Sequence, residues 1–65
     1  MEGIVKFYHR SKGFGYITEV ETEKEYFVHV SGLINQIKDE DKVSFDLENE
    51  SRGDRAVNVR VIKAS

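Results

Sequence analysis

Two stretches, Lys12-Gly13-Phe14-Gly15-Tyr16-Ile17 and Tyr26-Phe27-Val28-His29-Val30, decide how this chain folds. Both are rich in aromatic and β-branched residues and contain no proline, the composition of short strands. Successive side chains of an extended backbone point to opposite faces. Phe14 and Tyr16 therefore share one face, with Gly15 and Ile17 on the other, and Phe27 and His29 share a face opposite Val28. Phenylalanine is more often a core residue than a surface one. Here, however, a domain with one core buries Ile17 and Val28, which turns Phe14, Tyr16, Phe27 and His29 toward water. The glycines on either side of Phe14 carry no side chain to shield its ring, so a flat partner can lie on it, and nucleobases are flat partners.

Working outward from these stretches, Gly3 to His9 has strand composition but irregular alternation. In a regular strand Val5 and Phe7 share a face against Lys6 and Tyr8, while a bulge would exchange them. Arg10 to Gly13 is a short connection. Glu19 to Glu25 is a polar hairpin turn without the glycine that a tight primed turn prefers, which leaves its register open. Within Ser31 to Asp41, Leu33, Ile34 and Ile37 stand at roughly helical spacing behind a serine cap, and the expectation is one helical turn plus loop. Val43, Phe45 and Leu47 alternate inward in a fourth strand. A polar loop is expected from Glu48 to Asp54, and then a last strand, Ala56 to Ile62, with Val57, Val59 and Val61 on one face against Asn58 and Arg60.

Five such strands in 65 residues, with no long helix, define an all-β chain read as one domain over residues 1–65. An open sheet would leave exposed edges, whereas closure removes them, so the expected fold is a small five-stranded antiparallel Greek-key barrel of OB-fold type. With no cysteine there is neither a disulfide framework nor a thiolate metal site, which suits a reducing compartment. Met1-Glu2-Gly3-Ile4 lacks the basic and apolar regions of a secretory signal, and no run is long enough to span a bilayer. The expectation is a cytoplasmic protein that does not engage a membrane.

The net charge of −2 is unevenly spread. Lys6, Arg10 and Lys12 face Glu2 alone in residues 1–17, and Arg52, Arg55, Arg60 and Lys63 face Asp54 alone toward the end, while Glu19, Glu21, Glu23, Glu25 and residues 38–50 carry the acids. Cations travel with the aromatics. Enzyme signatures are missing: Gly13-Phe14-Gly15-Tyr16-Ile17-Thr18 holds only the first glycines of a dinucleotide fingerprint and opens no helix. His9 and His29 without cysteine make a poor metal set, and Asp39-Glu40-Asp41 lacks the spacing of a calcium loop. No enzymatic activity, cofactor, metal or small-molecule substrate is expected.

The paired motif Lys12-Gly13-Phe14-Gly15-Tyr16-Ile17 and Phe27-Val28-His29, with Gly3 and Lys6 upstream and Arg52-Gly53 and Ala56-Val57-Asn58-Val59 downstream, closely resembles bacterial cold-shock proteins and cold-shock domains. The resemblance covers nearly the whole chain. It implies a five-stranded OB barrel that binds single-stranded RNA and DNA by base stacking and acts as an RNA chaperone or a regulator of transcription and translation; separately, the chain is expected to be monomeric. The implied binding face is Lys6, Phe7, Lys12, Phe14, Tyr16, Phe27, His29 and Arg52. The chain departs from the family pattern in having Phe7 where tryptophan is usual, Val30 where a further aromatic is usual, and Asp54 in place of a proline. The segment from Ser31 to Ser44 is shorter than the family's loop and holds no aromatic, which implies a smaller footprint. The competing reading from another class is an SH3-like barrel whose exposed aromatics grip a proline-rich peptide. Basic residues flanking the rings favour nucleic acid.

Overall fold

The computed structural model describes residues 1–51 and 53–62; Arg52 and residues 63–65 lie outside the described residues. Strands β1 (Glu2–His9), β2 (Phe14–Glu19), β3 (Glu25–His29), β4 (Lys42–Glu50) and β5 (Gly53–Val61) close into a barrel in the order β1-β2-β3-β5-β4. Closure is completed by β4 against β1, through Glu2↔Ser44, Gly3↔Val43 and Ile4↔Lys42. This is the expected small OB-type barrel, with one seam of the other sense: β3 pairs with β5 in parallel, Phe27↔Arg55 and Val28↔Ala56, while the remaining ladders are antiparallel. A parallel pair cannot be joined by a hairpin, and here the chain between β3 and β5, β4 included, supplies the crossover.

The core is Val5, Ile17, Val28, Ile37, Val43, Phe45, Ala56 and Val59, with Tyr8, Tyr26, Leu33, Leu47 and Val61 packed against it. In β2 the alternation holds along its length, Gly15, Ile17 and Glu19 buried and Phe14, Tyr16 and Thr18 half-buried. Gly15 faces inward and does not unshield Phe14. A side chain there would run into the Phe7 carbonyl oxygen and reach within 2.9 Å of the Tyr8 Cα, so glycine is what lets β1 and β2 lie together. Gly13 sits in the left-handed region at φ 72° and closes the Arg10–Gly13 turn. Its N–H donates to the His9 carbonyl at 2.8 Å, and its own carbonyl accepts from Val30 N–H at 2.8 Å.

A bulge settles the faces of β1. The register passes from Val5↔Ile17 directly to Phe7↔Tyr16, leaving Lys6 as the extra residue. Val5 is thus fully buried, Tyr8 packs at the core's edge, and Phe7 and His9 take the outer face. The β2–β3 turn manages without glycine because Glu23 itself adopts φ 61°, its N–H donating to the Glu19 carbonyl at 2.9 Å. The Glu19 carboxylate, which is buried, accepts a hydrogen bond from Thr22 Oγ1.

Three further expectations are corrected. In β5, Ala56 and Val59 are buried and Val57 only half-buried, because Asn58 at φ 52° forms a bulge between Ser44↔Arg60 and Asp46↔Val57 and changes the parity of the strand. The polar stretch from Glu48 onward is mostly ladder, Glu48↔Arg55, Asn49↔Asp54 and Glu50↔Gly53, since cross-strand pairing outweighs polar composition on a solvated face. After β3 there is a single 3₁₀ turn, Val30–Gly32, capped by His29 rather than by Ser31. Ile37 is buried while Ile34 is 50% exposed, so these residues do not share a helical face.

Candidate functional site

The outer faces of β1, β2 and β3 carry a continuous patch of rings. Across β1 and β2, Phe7 stands opposite Tyr16 and His9 opposite Phe14; across β2 and β3, Tyr16 stands opposite Phe27 and Phe14 opposite His29. The ring centroids of Phe7 and Tyr16 are 5.4 Å apart, those of Tyr16 and Phe27 5.8 Å, and those of Phe14 and Phe27 5.9 Å. The last pair is nearly parallel, at 21°, whereas Tyr16 meets Phe27 edge-on at 77°. His9, exposed at the end of β1, has its ring 4.9 Å from that of Phe7 and 5.6 Å from that of Phe14. Phe7, Phe14, Tyr16 and Phe27 are each half-buried: they brace one another and keep part of each ring in water.

The cations expected beside this patch are not alike. Lys6, pushed out by the bulge, places Nζ 2.9 Å from Glu25 Oε1. Lys12 is exposed on the Arg10–Gly13 turn. His29 is exposed at the end of β3, and its Nδ1 faces the Ser31 hydroxyl at 2.8 Å. Phe7, Phe14, Tyr16 and Phe27 thus come together as one patch, with His29 beside Phe14 and Lys6 at the β1 bulge.

Two residues join the site that sequence reasoning missed. His9 follows Phe7 by two positions, and that spacing alone could have placed them on one face. Arg55 carried no local signal, because only the parallel seam sets it beside Phe27. Its Nε is 2.9 Å from Glu50 Oε1, yet the contact is not aligned as a hydrogen bond, and this buried nitrogen has no other partner among the described residues. Arg55, Tyr16, Phe27, Glu50, Gly53 and Asp54 line a depression of about 380 Å³ at the edge of the rings. A larger hollow of about 630 Å³, lined by Arg10, Asn35, Gln36, Ile37, Lys38, Asp41 and Val61, contains none of the ring residues. Rings with cations at their margin suit a flat, anionic partner better than a small molecule needing enclosure.

No helix among the described residues is long and apolar enough to cross a membrane. Among the described residues no three of His, Cys, Asp or Glu gather in a way that could hold a metal ion.

A closed five-stranded barrel that displays four of its aromatics on the outer face of three adjacent strands defines a small OB-type binding domain. The chain belongs to the cold-shock domain family, whose domains bind nucleic acid: residues 1–62 match the family described as the 'Cold-shock' DNA-binding domain. It is 38% identical over 63 residues to the cold shock-like protein CspB of Escherichia coli (strain K12), covering 91% of this chain and 89% of that protein. It is 36% identical over 64 residues to a cold shock-like protein of Aquifex aeolicus (strain VF5), covering 92% and 91% respectively. It is 35% identical over 66 residues to the cold shock-like protein CspC of Shigella flexneri, covering 95% and 96%.

Proposed function

We propose that this protein binds single-stranded RNA and DNA by stacking unpaired bases on Phe7, Phe14, Tyr16 and Phe27, with His29 beside them and Lys6, Lys12 and Arg52 meeting phosphates. By keeping strands unpaired it acts as an RNA chaperone or as a regulator of transcription and translation, in the cytoplasm and as a monomeric single domain. The observation that supports this reading best is the pair Phe14 and Phe27, 5.9 Å apart and 21° from parallel within a contiguous patch of rings. Stacking on such rings requires bases that are not already paired, and it tolerates sequence because every base has a π-face. The absence of an aromatic between Ser31 and Ser44 supports a footprint shorter than the family's.

Titration against oligothymidine, against the same strand in a duplex, and against a proline-rich peptide tests the proposal. Saturable binding of the single strand, with the duplex much weaker and the peptide inert, is the expected result. Binding of the peptide alone would place the protein with SH3-like barrels instead.

A further inference from the structure

His9 is exposed at the end of β1, whereas Phe7, Phe14, Tyr16 and Phe27 are half-buried. The plane of its ring is tilted 54° from that of Phe7 and 60° from that of Phe14. Phe14 and Phe27, by contrast, are 21° from parallel. A base that lies flat on Phe7 or on Phe14 therefore cannot lie flat on His9 as well. The imidazole stands between two stacking surfaces without extending either.

What sets His9 apart from the rings around it is its nitrogens, since an imidazole carries at least one N–H donor in either charge state. His9 is directly opposite Phe14 in the β1–β2 ladder, with its ring 4.9 Å from Phe7 and 5.6 Å from Phe14. The sugar–phosphate chain that leads from a base on one of these rings to a base on the other passes the imidazole between them. The backbone fixes the residue there: its carbonyl accepts from the N–H of Lys12 at 3.2 Å and from that of Gly13 at 2.8 Å. The turn so closed adds the exposed cations Arg10 and Lys12 and no acid. An anionic acceptor is the one this margin favours.

We propose that His9 donates a hydrogen bond to a phosphate of the single strand, in the stretch that joins the bases on Phe7 and Phe14, instead of serving as a fifth stacking ring. This rests on the stacking reading above and adds to it a directed contact with the strand's backbone, one that every sequence can make.

The test compares oligothymidine with the same oligomer built on methylphosphonate linkages, which keep every base but remove the phosphate charge. Affinities for both are measured with the parent, His9→Phe and His9→Gln, and a thermal melt of each variant confirms folding. His9→Phe keeps a ring and loses the donor, while His9→Gln loses the ring and keeps a side-chain N–H. The parent's preference for the phosphodiester should exceed that of His9→Phe by roughly three- to tenfold, the equivalent of one net hydrogen bond. The parent and His9→Phe should bind the methylphosphonate oligomer alike. His9→Gln should retain most of the parent's preference. Equal preference in the parent and His9→Phe, or a His9→Gln variant as indifferent to the linkage as His9→Phe, would overturn the phosphate contact. If the parent binds both oligomers without differing from His9→Phe, only that contact falls; if the parent binds neither, the stacking reading falls with it.

Discussion

Phe14 and Phe27 lie on different strands with ring centroids 5.9 Å apart and planes only 21° from parallel. They are diagonal neighbours, since Phe14 is paired with His29 and Phe27 with Tyr16. Long aromatic side chains reach one another on such diagonals. Because each ring braces the other, the contributions to binding proposed for them are expected to be coupled. Phe14→Ala and Phe27→Ala, measured singly and together against oligothymidine, should show a departure from additivity of about 0.5 kcal/mol or more. Strict additivity would mean that the two rings act as separate sites.

Lys6 is held by Glu25 at 2.9 Å, although both side chains are about half exposed. An exposed pair of this kind is worth only about 0.2–1 kcal/mol, so a phosphate can displace the carboxylate. Glu25→Gln removes the competitor and one negative charge beside the rings. It should bind oligothymidine up to several-fold more tightly at low salt, with the melt nearly unchanged. Weaker binding by Glu25→Gln would show that the carboxylate itself contacts the nucleic acid.

If Lys6, Lys12 and Arg52 each meet a phosphate, log affinity should fall against log salt with a slope of roughly −2. Lys12→Ala should make that slope shallower by about 0.7, the value per contact on single strands. A slope near zero in the parent would remove the phosphate contacts from the proposed mechanism.

Gly15 separates fold from site. A methyl group there meets the backbone of Phe7 and Tyr8, which cannot yield without parting β1 from β2. Gly15→Ala should cost about 1–3 kcal/mol and lower the melting temperature by several degrees. A melt matching the parent's would show that the strands do not need this close approach.

Much of this was legible beforehand because β2 and β3 alternate cleanly: Ile17 and Val28 lie inside while Phe14, Tyr16 and Phe27 lie outside, as period two requires. The irregular alternation of β1 raised a bulge without placing it at Lys6, and the bulge at Asn58 in β5 left no mark in the composition. His9 shares the face of Phe7 by period two alone, beyond the bulge. Arg55 entered the site because a parallel seam joins residues far apart in the sequence, and no local pattern encodes it. The apolar residues of the Ser31–Asp41 segment imitate helical spacing, but Ile37 reaches the core from irregular backbone.

The most direct test of the stacking face is a paired measurement on Phe14→Ala, a thermal melt and an affinity for oligothymidine. Val28→Ala serves as the core reference, expected to lose about 2–5 kcal/mol of stability because Val28 is fully buried. Phe14→Ala should melt close to the parent and bind about 1–3 kcal/mol more weakly, the usual worth of one base stacked on an aromatic ring. A Phe14→Ala variant that melts like Val28→Ala, or that binds as tightly as the parent, would contradict a base-stacking surface on the outer face of β2.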